Sequence, residues 1–429
     1  MRTAASPPAA PPAAAQSGYG RGARILSVGL ATTGLVTFAY FSVASYVLED
    51  VAYKHISLLW SVMFIVVSVL YKPIEQLLSR TIADRRARGL HGDHPLRAPL
   101  LIQAGFAAAF LVAAVALRGP VQDDLFDGSA TLYWILVAGV LAYGASYFAR
   151  GWLAGHEWFG LYGGLVFMES SSRLLFALAV AVGIADGQSA VALGMAAAPF
   201  VSLVVVPLAF ARRPQVSRRR TGDDELGLGR GGRFALAVLA IMLAEQTLLN
   251  AAVLTTEITA GEAAAAGFVF NVLLIARAPL QLFQAVQGSL LPHLAGLEAR
   301  ASRGEVHRAV RVTVLAIAGF ALAVAAGLLV LGPWAMDLLF DDGARYGRAG
   351  LALVALGMGF HLMAGTLNQA ALARDHAGRA AVAWLLAGAA FVAWLFAPVV
   401  DDALLRAEIG YLGATALLCA TLAVAYRRT

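Results

Sequence analysis

The sequence predicts an all-α integral membrane protein of twelve transmembrane helices in two six-helix bundles, with both termini in the cytosol. Three observations carry that prediction. The 429 residues are 60% hydrophobic and only 14% charged, where an ordinary globular chain is about 25% charged. The apolar residues fall in long continuous runs, not in the alternation of a membrane β-barrel. The basic residues crowd onto every second connection between those runs.

Each run is long enough to cross a hydrocarbon core, which needs about 20 apolar residues. Residues 1–23 are Ala- and Pro-rich and lack the basic and apolar regions of a signal peptide, so they are expected to form a disordered cytosolic tail. The first bundle, 24–211, holds runs at 24–47, 53–78, 98–117, 130–150, 158–184 and 188–211. A basic cytosolic linker, 212–232, follows. The second bundle, 233–429, holds runs at 233–256, 263–292, 309–332, 349–372, 378–398 and 403–426.

With the N-terminus inside, 25 of the 32 Lys and Arg residues fall on the cytosolic side and five on the other, while Arg173 and Arg277 lie within helices. That bias fixes the orientation. It also accounts for the isoelectric point near 9.6 without nucleic acid, and makes anionic membrane lipids the expected neighbours. The single cysteine, Cys419, excludes an internal disulfide framework and a multi-thiolate metal site. No nucleotide-binding motif is present and no extramembrane segment is expected to exceed about 25 residues, so ATP drive and a cofactor are not expected. The outer loops, such as RGPVQDDLFDGSA (118–130), are expected to be short and acidic. No catalytic residues and no enzyme activity follow from such a chain.

The two halves echo one another. KPIEQLLS around Pro73 parallels APLQLFQA around Pro279, and RGWLAGHE (150–157) parallels QAALARDH (369–376). Internal duplication with a proline at matching positions points to a transporter whose site lies between the halves.

Several passages carry a resemblance to a known group. WSVMF (60–64) with KPIEQLLSRTIADRRARG (72–89), YFARGWLAGHEWFGLYGGLVFMESSSRLLFA (147–177) and NQAALARDHAGRAAVAW (368–384) resemble the Wzx-type polysaccharide flippases. These belong to the multidrug/oligosaccharidyl-lipid/polysaccharide (MOP) exporter superfamily. The resemblance implies a MATE/MOP-like, two-bundle, alternating-access fold in the cytoplasmic membrane. It implies a polyprenyl-pyrophosphate-linked oligosaccharide as substrate, and polysaccharide polymerase or assembly proteins as partners. Twelve helices also suit the drug-extruding MATE branch, so a cation-coupled drug or metabolite antiporter is the competing expectation.

The polar residues inside the apolar runs are the candidate site, since each ionisable group there costs roughly 2.5–3.5 kcal/mol to insert and needs a partner or a cavity. Lys72, Glu75 and Gln76 beside Pro73 suggest either a polar, kinked cytosolic mouth or a plain interfacial cap, with Lys72–Gln76 and Gln76–Arg80 at helical spacing. Glu169 and Arg173 stand four apart and are expected to neutralise each other, as a structural pair or as one that exchanges partners with an anionic head group. Arg277, with no acid nearby in sequence, suits a pyrophosphate or a salt bridge to Glu245 or Glu75. Arg277, Gln281 and Gln284 share one helical stripe, fit either to hold sugar hydroxyls or to join helices. Glu245, in AEQTLLN, is the first candidate for proton coupling, with Glu169 as the second; His361 and Gln369 are weaker candidates for site roles. A net-positive interior favours the flippase and a net-negative one the antiporter.

Overall fold

The computed structural model describes residues 29, 32–88, 96–205, 228–260, 290–299, 303–339, 347–397 and 399–427. They form helices throughout, in the order α1 (32–47), α2 (Asp50–Ala87), α3 (Arg97–Ala116), α4 (Arg118–Phe126), α5 (Ala130–Gly155), α6 (Phe159–Ala181) and α7 (Gly187–Ser202). Then come α8 (Leu228–Ala260), α9 (290–299), α10 (Arg303–Leu339), α11 (Arg348–Ala373), α12 (Ala377–Phe396) and α13 (Ala403–Arg427). Among the described residues, nine helices are long and apolar enough to cross a membrane. Their outward faces carry exposed Leu100, Leu111, Val112, Leu315, Phe320 and Val330, which water would not tolerate in such number and lipid does. The chain is a multi-pass membrane protein.

The expected run 263–292 lies outside the described residues except for its last three. Where helices are described, several depart from expectation; α10, expected at 309–332, runs from Arg303 to Leu339. α2 runs 38 residues through Pro73, about 57 Å at 1.5 Å per residue, well beyond a ~30 Å hydrocarbon core. Its continuation past residue 78 is driven by Ile74, Leu77, Leu78, Ile82 and Ala83, an apolar stripe at helical spacing. The segment expected as an outer loop contains the nine-residue helix α4, ended by Asp127 in the left-handed conformation (φ 46°). The last five residues of the expected linker, 228–232, belong to α8.

Two large clusters of buried apolar side chains organise the molecule. One joins α1, α2, α5 and α7 through Tyr40, Ile56, Leu59, Met63, Tyr133 and Met195. The other joins α8, α11, α12 and α13 through Val238, Met358, Trp384, Phe391 and Tyr411, and reaches across to the end of α2. α2 and α5 run parallel, since Met63 meets Gly139, Tyr71 meets Gly144, and Ile82 meets Gly155. At Gly151 the approach is closest: a Cβ there would lie 2.8 Å from the Glu75 carbonyl oxygen and 2.9 Å from its Cα. Only glycine lets two helix backbones meet at that distance.

One structural unit occurs twice. α5 and α11 each have 26 residues, and Ala130 and Arg348 stand 218 positions apart; the start of α6 and the start of α12 keep that offset. The turn after α5 is closed by hydrogen bonds from His156, Glu157 and Trp158 N–H to the Trp152, Ala154 and Leu153 carbonyls. The turn after α11 repeats them from Arg374, Asp375 and His376 to Ala370, Leu372 and Ala371. Glu157 (φ 59°) and Asp375 (φ 65°) both adopt the left-handed conformation that ends each helix. The structural register therefore pairs 150–157 with 368–375, one residue away from the match visible in the sequence.

Candidate functional site

Inside the N-terminal half, α2, α5, α6 and α7 enclose a buried polar network. α5 presents Tyr143, Ser146, Tyr147 and Arg150 on one stripe, at spacings of three and four. α6 faces it with Tyr162, Glu169, Ser170 and Arg173.

Glu169, 2% exposed, receives hydrogen bonds from Ser146 Oγ, from Arg150 Nη2 and, at 3.3 Å, from Ser202 Oγ of α7. Its two oxygens are thus well satisfied, the condition under which a buried carboxylate–guanidinium pair offsets its desolvation. The Arg150 guanidinium also sits 4.4 Å from the Tyr147 ring centroid. One turn along, Glu75, 3% exposed, is held by Lys72 Nζ at 3.1 Å and by Tyr162 Oη at 2.9 Å.

Arg173 differs from both. It donates to Tyr143 Oη at 2.7 Å and to Ser170 Oγ at 3.0 Å, and its guanidinium lies 4.8 Å from the Trp60 ring centroid. Among the described residues no carboxylate pairs with it, and its Nε has no hydrogen-bond partner. Arg173 is 5% exposed. The network therefore holds three cations (Lys72, Arg150 and Arg173) against two carboxylates (Glu75 and Glu169). Cation–π contact gives about 2 kcal/mol in a desolvated setting, well short of what a buried unpaired charge costs.

This arrangement corrects several expectations. Glu169 does not pair with Arg173 four residues on; it reaches across to Arg150, one of the 25 basic residues assigned to the cytosolic side and found buried, its side chain 11% exposed. Glu75 and Gln76 are interior residues, not an open mouth. Lys72 pairs with Glu75 instead of Gln76, and Arg80 turns away from Gln76 to Asp375 of the other half. Gln76 Oε1 and Gln369 Oε1 are buried and lack hydrogen-bond partners among the described residues. Arg277, Gln281, Gln284 and Pro279 lie outside the described residues. Tyr143, Ser146, Arg150 and Ser202 were missed by sequence reading, although the stripe on α5 was a visible signal.

The C-terminal half carries a smaller polar cluster. Glu245 of α8 lies 3.5 Å from His361 Nε2, whose Nδ1 lies 3.3 Å from Tyr411 Oη. Glu245 thus faces His361, which can balance its charge only when protonated. Trp384 Nε1 donates to Asn368 Oδ1 at 3.2 Å. Outside the membrane-spanning helices, burial and then Arg379 and Arg374 hold His376 below the usual imidazole range. It therefore adds no charge beside Asp375 at neutral pH.

No protein-family model matches the chain, and neither does any curated protein sequence. Solved structures do. A mutant form of the Vibrio cholerae MATE transporter VcmN is similar, with a TM-score of 0.77 at 15% identity over 96% of this chain and 96% of that one. The eukaryotic MATE transporter AtDTX14 gives a TM-score of 0.73 at 13% identity, over 96% and 97%. A MOP superfamily transporter from Pyrococcus furiosus gives 0.71 at 14%, over 96% and 95%; its binding pocket is described as reversed in polarity, suggesting a different function. The fold is that of the MATE transporters of the MOP superfamily.

Proposed function

We propose that this protein is an exporter that moves an anionic, sugar-bearing head group across the cytoplasmic membrane by alternating access between its two halves. The substrate class is a polyprenyl-pyrophosphate-linked oligosaccharide, carried from the inner to the outer leaflet. The observation that carries this reading is Arg173, a buried guanidinium whose partners among the described residues are all neutral, in a network that there holds one more cation than carboxylate. Guanidinium binds phosphate oxygens through a bidentate fork, so an arriving anion supplies the missing charge. The polyprenyl tail stays in lipid while the head occupies the polar interior. Arg277, Gln281, Gln284 and Gln369 would serve the head from the C-terminal half, and Glu75 and Gln76 from α2. Both termini face the cytosol, and polysaccharide polymerase or assembly proteins receive the product. No enzymatic step is involved.

Mass spectrometry of polyprenyl-linked lipids from cells depleted of the protein tests this. Accumulation of a glycosylated polyprenyl pyrophosphate is the expected result; an unchanged lipid pool would overturn it.

A second reading, cation-coupled antiport of a drug or metabolite, is favoured by the Glu245–His361–Tyr411 cluster, whose carboxylate and imidazole are placed to exchange a proton. In that case Glu245→Gln abolishes the pH dependence of transport. Transport that keeps its pH profile in this variant rules out coupling through Glu245.

A further inference from the structure

The two halves meet at the basic end of α2. There Ile74, Leu77, Leu78, Ile82 and Ala83 share one apolar cluster with Phe234, Ala235, Val238 and Ile241 of α8. Above this seal, Arg80 Nη1 donates to Asp375 Oδ1 at 2.9 Å, and its guanidinium lies 5.1 Å from the Phe234 ring centroid. Arg80 thus touches two elements of the opposite half at once, α8 and the turn between α11 and α12.

Three features set this pair apart from the interior ones. Asp375 is 57% exposed and Arg80 20%, so water can take over either charge when the pair opens. Glu169 and Arg150, by contrast, have no such substitute and must stay together. Asp375 is also the residue that ends α11 in the left-handed conformation, a position that fixes its direction and that Asp tolerates better than most residues. Finally, exposed pairs of this type are weak, which suits a contact that forms and breaks in each cycle.

We propose that Arg80 and Asp375 form a latch that holds the two halves closed at the basic end, and that its release precedes separation of α2 from α8. Its consequence for export rests on the alternating-access reading above; the latch itself does not.

The structure supplies a reporter. A Cβ built on Gly296 of α9 would lie 4.0 Å from Ala87 Cβ at the end of α2, within the ~3.5–4.5 Å range of a disulfide. In a Cys419→Ala background, Ala87→Cys with Gly296→Cys reads closure as the rate of oxidant-driven cross-linking. Arg80→Ala and Asp375→Asn (Asn keeps the left-handed backbone) are each expected to slow that rate about two- to fivefold. The double variant is expected to be no slower than Arg80→Ala alone, because that variant already removes the Arg80–Asp375 pair together with the Phe234 contact. Rates unchanged in either single variant, or multiplying in the double, would overturn the latch. Export by the fully cross-linked protein is a separate readout. Its retention would sink the alternating-access reading and leave the coupling result standing.

Discussion

α5–α6 and α11–α12 are the same backbone used for different chemistry. At the shared offset of 218, Tyr143 corresponds to His361, Arg150 to Asn368, Glu169 to Ala387 and Arg173 to Phe391. In the first hairpin these positions form an ion pair and carry a surplus cation. In the second, Asn368 accepts a hydrogen bond from Trp384, and Ala387 and Phe391 are part of the apolar core. The difference teaches that the fold does not need charge at these places. The C-terminal half closes the same helix pair with methyl groups and rings, so the charge on Arg173, which no described carboxylate offsets, costs stability that the architecture does not demand. Residues retained at such a cost are the ones to suspect of function.

The sharpest way to break the comparison is at the positions of Arg150 and Asn368. Arg150→Ala leaves Glu169 buried without its cation and is expected to cost about 3–5 kcal/mol. Asn368→Ala leaves only the Trp384 N–H unsatisfied and is expected to cost about 1–3 kcal/mol. Thermal unfolding in detergent, with both variants at one protein concentration, measures the gap. Pairing Arg150→Ala with Glu169→Ala removes both charges and should recover most of the loss. Equal costs for Arg150→Ala and Asn368→Ala would show that the ion pair is no more than an ordinary polar contact.

A smaller effect is expected one residue further on, where Gly151 corresponds to Gln369. In the N-terminal half the α2 backbone lies against Gly151, and in the C-terminal half the same position holds a full side chain. Gly151→Ala would push α2, and Glu75 with it, away from α5 at a cost of about 1–3 kcal/mol. Gln369→Ala removes a buried amide whose Oε1 has no partner among the described residues, so it is expected to be close to neutral or slightly stabilising. A tolerated Gly151→Ala would mean that the helices can separate there without loss, and that their close contact does not set the position of Glu75.

The architecture was legible because lipid leaves few choices: a continuous apolar run longer than the bilayer must be a helix. The contacts within the site were less so, and Glu169 shows why. Spacing along one helix can propose only partners on that helix, so Arg173 looked like the natural match at four residues. The actual partner, Arg150, comes from the antiparallel neighbour, and the only sequence trace of it was the Tyr143–Ser146–Tyr147–Arg150 stripe. Glu75 failed for a different reason. Its nearness to the arginines of 80–88 suggested an interface, but Ile74, Leu77, Leu78 and Ile82 continue the buried stripe past it. Neither the Arg80–Asp375 contact nor the one-residue shift in the repeat had any local signature. The first depends on where α2 meets the turn after α11 in space, and the second on where each hairpin's helices begin and end.

The last comparison concerns Arg173 and Phe391, and here the effect on stability is expected to be small or of opposite sign. Replacing a buried, charge-unpaired guanidinium with an apolar ring of similar bulk removes a desolvation cost and gives up two neutral hydrogen bonds and one ring contact. Arg173→Phe, which copies the C-terminal half, is therefore expected to unfold at the same temperature as the parent or a few degrees higher. Export is expected to move the other way, because the surplus cation that would meet a phosphate is gone. Arg173→Lys separates charge from geometry: it restores a cation but not the bidentate fork, so partial export is expected. A purely structural Arg173 would give the reverse, lower stability with export reduced only in proportion to folded protein. Measuring unfolding temperature and lipid-linked glycan accumulation on the same variants decides whether the unmatched charge belongs to the fold or to the cargo.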